Sequence, residues 1–156
     1  MAGQFRSSVW DPILIIAQIV TIQCVFYLSL GFWISIVDFI AGNYCSLEQF
    51  FSFEVLQFKD LQGKLLMIAY ILNALTSAGG LWYVVQRTKQ CWDFAATAHV
   101  SHFIACWLYN ARFPYTLLWW LCNAISVVIM TVLGEFLCMR TELRAIPLSV
   151  GPKADL

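Results

Sequence analysis

His99 and His102 lie three residues apart in an apolar stretch, and Cys106 follows one helical turn later. On a helix these spacings put all three side chains on one face, near the depth where a metal site or proton relay can form within a membrane. A zinc centre needs three or four ligands. The remaining thiols, Cys24, Cys45, Cys91, Cys122 and Cys138, are dispersed along the chain. The two histidines with Cys106 are therefore the best metal constellation available, and the plainer expectation outweighs it: neutral imidazoles buried and hydrogen-bonded across a bundle. No metal and no cofactor are assigned.

Two carboxylates bear on the same question. Asp93 is six residues before His99, about 120° away around a helix, and roughly opposite His102. It belongs to another face and fits a first-turn carboxylate favoured by the helix dipole. Glu135 would lie roughly 7 Å deeper in the membrane than Arg140 on a common helix. A carboxylate at that depth must snorkel, pair or be protonated, and pairing with Arg140 is the expected outcome.

Motifs for several enzyme classes are missing. The sequence holds no C-x-x-C, no H-E-x-x-H, no Walker loop and no G-x-S-x-G, so thiol exchange, zinc proteolysis, nucleotide hydrolysis by a P-loop and serine hydrolysis lack their reactive units. A transporter usually shows repeated, Gly/Pro-broken spans, and only Gly79 and Gly80 come near that pattern. The chain is expected not to be an enzyme. Cys45 is the one cysteine clearly in a loop on the non-cytosolic side, so no intrachain disulfide is expected there.

The elements that must position these groups are membrane helices. Of 156 residues, 61% are hydrophobic and 12% charged, with a mean hydropathy of +0.74; soluble domains carry about 25% charged residues. About 20 apolar residues cross the hydrocarbon layer as a helix. The sequence predicts an all-α polytopic membrane protein, a single bundle of four transmembrane helices with short loops. The spans fall at roughly 13–37, 65–85, 94–109 and 115–139, followed by a short tail at 140–156. Pro12 and Pro114 sit at the entrances of the first and fourth spans, where a missing N–H costs least. The first span is too long for a signal-peptide core and is expected to be retained.

Arg6, Arg87, Lys89, Arg140, Arg144 and Lys153 fall on one side of such a bundle, and Lys59, Lys64 and Arg112 on the other. The basic excess places both termini in the cytosol. A net charge of zero offers no reason to expect nucleic acid as a partner. Trp10, Trp82, Tyr83 and Trp92 on the cytosolic side, and Trp33, Tyr109, Tyr115, Trp119 and Trp120 on the other, form the expected interfacial belts. In the longest loop Ser46 and Gln49 have capping-box spacing. Leu47, Phe50, Phe51, Val55 and Phe58 share a helical face, which fits a short interfacial helix or, equally, a loop packed on the bundle.

Each span also carries one stripe of polar or small residues: Gln18, Thr21 and Ser29; Asn73, Thr76, Ser77 and Gly80; His99, His102, Cys106 and Asn110; Asn123, Ser126 and Gly134. Lipid tails give helices no hydrophobic reason to associate, so such stripes are expected to be packing seams. Asn73, Thr76, His99, His102 and Asn123 are the candidates for that structural role.

The residues are more specific than their physics. Met1 to Arg6 with Val9-Trp10-Asp11-Pro12, the run Ile71-Leu72-Asn73-Ala74-Leu75-Thr76, Lys89-Gln90-Cys91 with Asp93-Phe94, the histidine pair, Cys106-Trp107, Arg112-Phe113-Pro114 and Trp119-Trp120 form one set. With Gly134-Glu135, Leu137 to Leu143 and Ile146-Pro147-Leu148, they make the chain resemble, from end to end, the Golgi-localised SYS family of four-span membrane proteins.

That resemblance implies a receptor in the Golgi membrane, at the trans-Golgi network, for an ARF-related small GTPase with an acetylated N-terminus. It implies, further downstream, an ARF-like GTPase, GRIP-domain golgins and vesicle traffic from endosomes to the Golgi. It brings no catalytic residues. A docking protein suits such a GTPase, since even one myristoyl chain gives only marginal anchoring. Trp82, Tyr83 and Trp92 are the candidate surface for the GTPase's apolar N-terminal helix, with Arg87, Lys89, Asp93, Glu135 and Arg140 as candidate charges around it. The alternative is a small proton-coupled transporter or channel using His99, His102 and Glu135.

Overall fold

The computed structural model describes residues 11–145, and these form helices α1 (Pro12–Ala41), α2 (Glu48–Phe51), α3 (Leu61–Val84), α4 (Cys91–Asn110) and α5 (Leu117–Ala145), with no strand among them. Trp10, Arg6, Lys153 and the Ile146-Pro147-Leu148 motif lie outside the described residues. Among the described residues, three helices are long and apolar enough to cross a membrane: Pro12–Ala41, Leu61–Val84 and Leu117–Arg144. Helix α4 is not one of them, because Asp93, Thr97, His99, Ser101, His102 and Asn110 dilute its apolar residues.

The starts and stops follow local chemistry. The Asp11 carboxylate accepts from the backbone N–H groups of Ile13 and Leu14 at 3.1 and 3.3 Å, satisfying two of the orphan donors of α1, with Pro12 in the first position. Gly42 ends α1 at φ 71°, a left-handed conformation that glycine adopts without penalty. Gln86 occupies the same region at φ 56° after α3, where a Cβ costs roughly 1–2 kcal/mol. Its side chain bonds the Tyr83 carbonyl at 3.0 Å.

The bundle differs from the sequence expectation at several edges. α1 continues past Val37 to Ala41, α3 begins at Leu61, and α5 runs to Ala145. Hydropathy marks the hydrocarbon layer, whereas helices extend beyond it. Pro114 precedes α5 by three residues; it is buried, and its carbonyl accepts the Trp120 indole N–H at 2.9 Å. The 42–60 segment holds only the four-residue α2. Phe50, Phe51 and Val55 pack onto the core, Phe53 and Leu56 are buried within it, and Leu47 and Phe58 are 67% and 60% exposed. The segment is a loop folded onto the bundle.

Helix α1 packs along α3, and α3 along α5. The buried face of α1 is one narrow stripe, Ile22, Phe26, Leu30, Ile34 and Asp38, and Leu28, Phe32 and Phe39 point outward. Close approach of the helices depends on small residues: a Cβ on Gly80 would meet Val25 Cγ1 at 2.9 Å, and one on Gly134 would meet Leu81 Cδ1 at 3.1 Å. Gly63 is tighter still, since its Cβ would lie 2.1 Å from the Gln57 carbonyl oxygen.

Polar contacts pin α1 at four levels. Gln18 Nε2 donates to the Val84 carbonyl at 3.2 Å, Gln23 Nε2 to the Thr97 carbonyl at 3.4 Å, the Ser29 hydroxyl to Asn73, and Trp33 Nε1 to the Thr76 hydroxyl at 2.9 Å. The Gln18 and Gln23 bonds, with the Trp82–Thr141 and Thr88–Glu142 contacts, gather the start of α1, the 85–90 connection, the start of α4 and the end of α5 at one end of the molecule.

Candidate functional site

The end carrying the 85–90 connection holds most of the residues singled out for docking. Trp82, Tyr83 and Trp92 are 44%, 79% and 54% exposed, so three aromatic rings stand free around one short connection. Thr88 ties that connection to α5: its hydroxyl donates to the Glu142 carboxylate at 2.9 Å and its backbone N–H to the same group at 3.4 Å. Beneath lie Cys91 and Cys138, their sulfurs 3.5 Å apart.

The aromatic residues do not share one groove. Trp82 and Arg140 line a cleft between α3 and α5 with Leu137, Thr141 and Arg144. Trp92 lies at the edge of a larger, apolar groove between α4 and α5, of about 430 Å³. Asp93 lines a third depression, between α1 and α4, and it is exposed in the first turn of α4. Tyr83 and Lys89 are exposed and Arg87 is half-buried. Any partner engaging all of them must lie across the end of the bundle.

The expected Glu135–Arg140 pair does not form: no ion pair joins them. Five residues along a helix turn the second side chain about 140° from the first, so common depth does not give a common face. Trp119 departs from its expected belt position as well. It is 2% exposed and stacks edge-on to Trp120 with ring centroids 5.1 Å apart.

The polar residues of the spans differ in the partners they take. Asn73 Oδ1 accepts from Ser29 and, at 3.5 Å, from Ser77; Thr76 accepts from Trp33. His102 is fully buried amid the rings of Phe26, Tyr27, Phe51 and Tyr70. Its Nδ1 is 3.4 Å from the Tyr27 hydroxyl and its Nε2 is 3.5 Å from Cys106 Sγ. His99 instead turns Nδ1 to the Ala95 carbonyl at 2.9 Å, one turn back on its own helix, and its buried Nε2 has no partner. Asn123 likewise bonds its own helix, at the Trp119 carbonyl, and with His99 lines the α4–α5 groove. Thr21 bonds the Ala17 carbonyl and is exposed, so it is no seam residue. Among the described residues no group of three or more His, Cys, Asp or Glu side chains is placed to hold a metal ion.

One buried carboxylate escaped the sequence reading. Asp38, 2% exposed, accepts from Gln49 Nε2 at 2.8 Å through Oδ1, and its Oδ2 is buried without a partner. Gln49 Oε1 accepts the Ser46 backbone N–H at 3.1 Å, one half of the expected capping box. The Tyr70 hydroxyl lies 3.2 and 2.8 Å from the Gln49 and Phe50 carbonyls. A first span ending at Val37 leaves Asp38 outside it, and the usable signal in the sequence is a lone carboxylate directly after an apolar run.

Comparison with known proteins decides the family. A family model described as "Integral membrane protein S linking to the trans Golgi network" matches residues 5–148. The chain belongs to the SYS1 family. A SYS1 homolog of Nematostella vectensis is 54% identical over 151 residues, covering 97% of this chain and 96% of the relative. A Dictyostelium discoideum homolog is 39% identical over 97% of this chain and 65% of its own length. Protein SYS1 of Saccharomyces cerevisiae is 30% identical over 90% of this chain and 69% of its own. No solved structure matches the chain. Membership of the SYS1 family makes this an integral membrane protein, in accord with its apolar helices and outward-facing Leu28, Phe32 and Phe39.

Proposed function

We propose that the protein is a non-enzymatic receptor in the trans-Golgi membrane that recruits an N-acetylated ARF-related small GTPase. It would thereby support loading of an ARF-like GTPase, capture of GRIP-domain golgins and vesicle traffic from endosomes. The observation that carries this proposal is the match of residues 5–148 to a family described as linking to the trans-Golgi network. In the same proposal all four long helices span the bilayer. α4 buries Ala95, Ala98, His99, His102 and Cys106 and turns Val100, Ile104 and Leu108 outward, and in this proposal the end bearing Trp82, Tyr83 and Trp92 faces the cytosol.

The chemistry of that end suits the task. An amphipathic N-terminal helix carrying only an acetyl group has too little apolar area for stable anchoring by lipid alone. Exposed Trp82, Tyr83 and Trp92 offer rings of the kind that dominate interface energetics, and Arg87, Lys89 and Asp93 around them would set orientation and encounter rate. Proton-coupled transport finds no comparable support. Among the described residues no hydrogen-bond chain links His99, His102 and Glu135.

The test is co-purification in mild detergent with the GTPase bearing an acetylated or an unacetylated N-terminus. Capture of the acetylated form alone is expected. Failure to capture either form by a folded bundle would refute receptor function and make ion flux in proteoliposomes the next measurement.

A further inference from the structure

The cleft between α3 and α5 has a volume of about 220 Å³ and is lined by Trp82, Leu137, Arg140, Thr141 and Arg144. Its two basic groups are one helical turn apart on α5 and therefore on one face. Both are exposed, and neither makes an ion pair with a described residue. The neutral polar groups of the cleft are already satisfied: the Trp82 indole N–H donates to the Thr141 hydroxyl at 2.6 Å, and that hydroxyl donates to the Leu137 carbonyl at 3.1 Å. Only the two guanidinium groups remain to receive a ligand.

Depth identifies the kind of ligand. Helix α5 has 29 residues, about 43 Å at 1.5 Å per residue, against a hydrocarbon layer of about 30 Å. Counting about 20 residues from Leu117 brings Leu137 to the edge of that layer and sets Arg140 and Arg144 among the headgroups. Trp82 sits in the last turn of α3, where an indole favours the interface. The cleft thus has an apolar floor continuous with the lipid tails and a doubly cationic rim at phosphate level. Glu142, two residues on from Arg140, points about 200° away and receives Thr88 on the α4 side.

We propose that this cleft binds the headgroup of a membrane phospholipid bearing a phosphate monoester. The carboxyl end of a helix attracts cations whatever their function, and that alone accounts for basic residues here. It does not account for two guanidinium forks that lack anionic partners among the described residues and stand over a cleft floored by Trp82 and Leu137. A phosphate monoester carries about −1.5 to −2 charge at neutral pH, matching two guanidinium groups, and its oxygens accept paired N–H donors. A phosphodiester lipid brings half that charge. A free phosphate ion would leave Trp82 and Leu137 unused, whereas a lipid continues its glycerol and acyl portions along them. Trp82 and Arg140 are shared with the surface proposed for docking, and lipid binding here does not depend on that docking.

The experiment uses the purified full chain in neutral detergent micelles without any GTPase, titrated with phosphatidylinositol monophosphate, phosphatidylinositol, phosphatidylserine or inorganic phosphate, with bound lipid counted by native mass spectrometry. The monophosphate lipid is expected to bind at least about tenfold more tightly than either phosphodiester lipid, and Arg140→Gln with Arg144→Gln to weaken it at least about tenfold, given about 1.5–3 kcal/mol for a hydrogen bond to a charged group. The double Lys variant, which keeps charge but removes the forks, is expected to fall between. Equal binding of phosphatidylserine, full binding by the double Gln variant, or displacement of the lipid by equimolar inorganic phosphate would each overturn the proposal. The GTPase co-purification, run in lipid-free detergent, succeeds or fails independently.

Discussion

The Thr88 hydroxyl donates to the Glu142 carboxylate at 2.9 Å, joining residues 54 positions apart in the sequence. This bond fastens the connection between α3 and α4 to the last turns of α5, so that the aromatic residues flanking it hold fixed positions. Thr88→Val preserves shape and removes the donor. At this half-buried site the loss is expected to be about 1 kcal/mol, with faster proteolysis of the 85–90 connection and little change in helix content. Limited proteolysis alongside circular dichroism checks both, and an unchanged cleavage rate would count against the tether.

Three glycines in α3 give a graded series. Gly63→Ala is expected to be the most damaging, because the added Cβ would fall 2.1 Å from the Gln57 carbonyl oxygen and backbone has nowhere to yield. Gly80→Ala, which meets Val25 Cγ1 at 2.9 Å, is expected to cost about 1–3 kcal/mol. Gly79→Ala meets nothing within 4 Å and is expected to gain up to about 1 kcal/mol from helix propensity. Thermal denaturation in one detergent ranks all three, and a reversed order would contradict the packing described.

Asp38 and Gln49 are expected to show non-additive behaviour. Gln49→Leu removes the donor to Asp38 and the acceptor of the Ser46 N–H, leaving buried Asp38 without a partner, at a cost of about 1–3 kcal/mol. Asp38→Asn keeps an acceptor for Gln49 and exchanges the unpartnered oxygen for an uncharged NH2 group, and is expected to cost less than Gln49→Leu. In the Asp38→Asn background the Gln49→Leu penalty is expected to shrink by at least about 1 kcal/mol. A double-mutant cycle by thermal melting measures the coupling directly.

The histidines are expected to matter for packing alone. His102→Ala empties a site ringed by Phe26, Tyr27, Phe51 and Tyr70 and is expected to destabilise by about 2–4 kcal/mol. His99→Gln retains a polar group at the groove and is expected to leave GTPase capture unchanged. Loss of capture by a His99→Gln protein that melts normally would place that residue in the docking machinery.

Composition and apolar run length made the long helices legible in the sequence, and three of them are long and apolar enough to cross a membrane. Their ends were less so. Polar residues such as Gln62 and Lys64, or Arg140 to Arg144, carry no hydropathy signal yet sit within α3 and α5, because at headgroup level a helix can be polar all round. The exposed Trp82, Tyr83 and Trp92 were legible as interfacial rings. The separation of Trp82 and Trp92 into two different grooves was not, as it depends on which helices are neighbours. The same holds for Asp38 and Gln49, whose pairing arises only when the 42–60 loop folds back, and for Thr88 and Glu142 at opposite ends of the last helical pair.

The bonds from Gln18, Gln23, Ser29 and Trp33 reach two different helices at four heights along α1. Sliding α1 by one helical turn, about 5.4 Å, would break every rung at once. Mechanically the bundle behaves as a peg with a single seating, its first helix locked at one height against its neighbours.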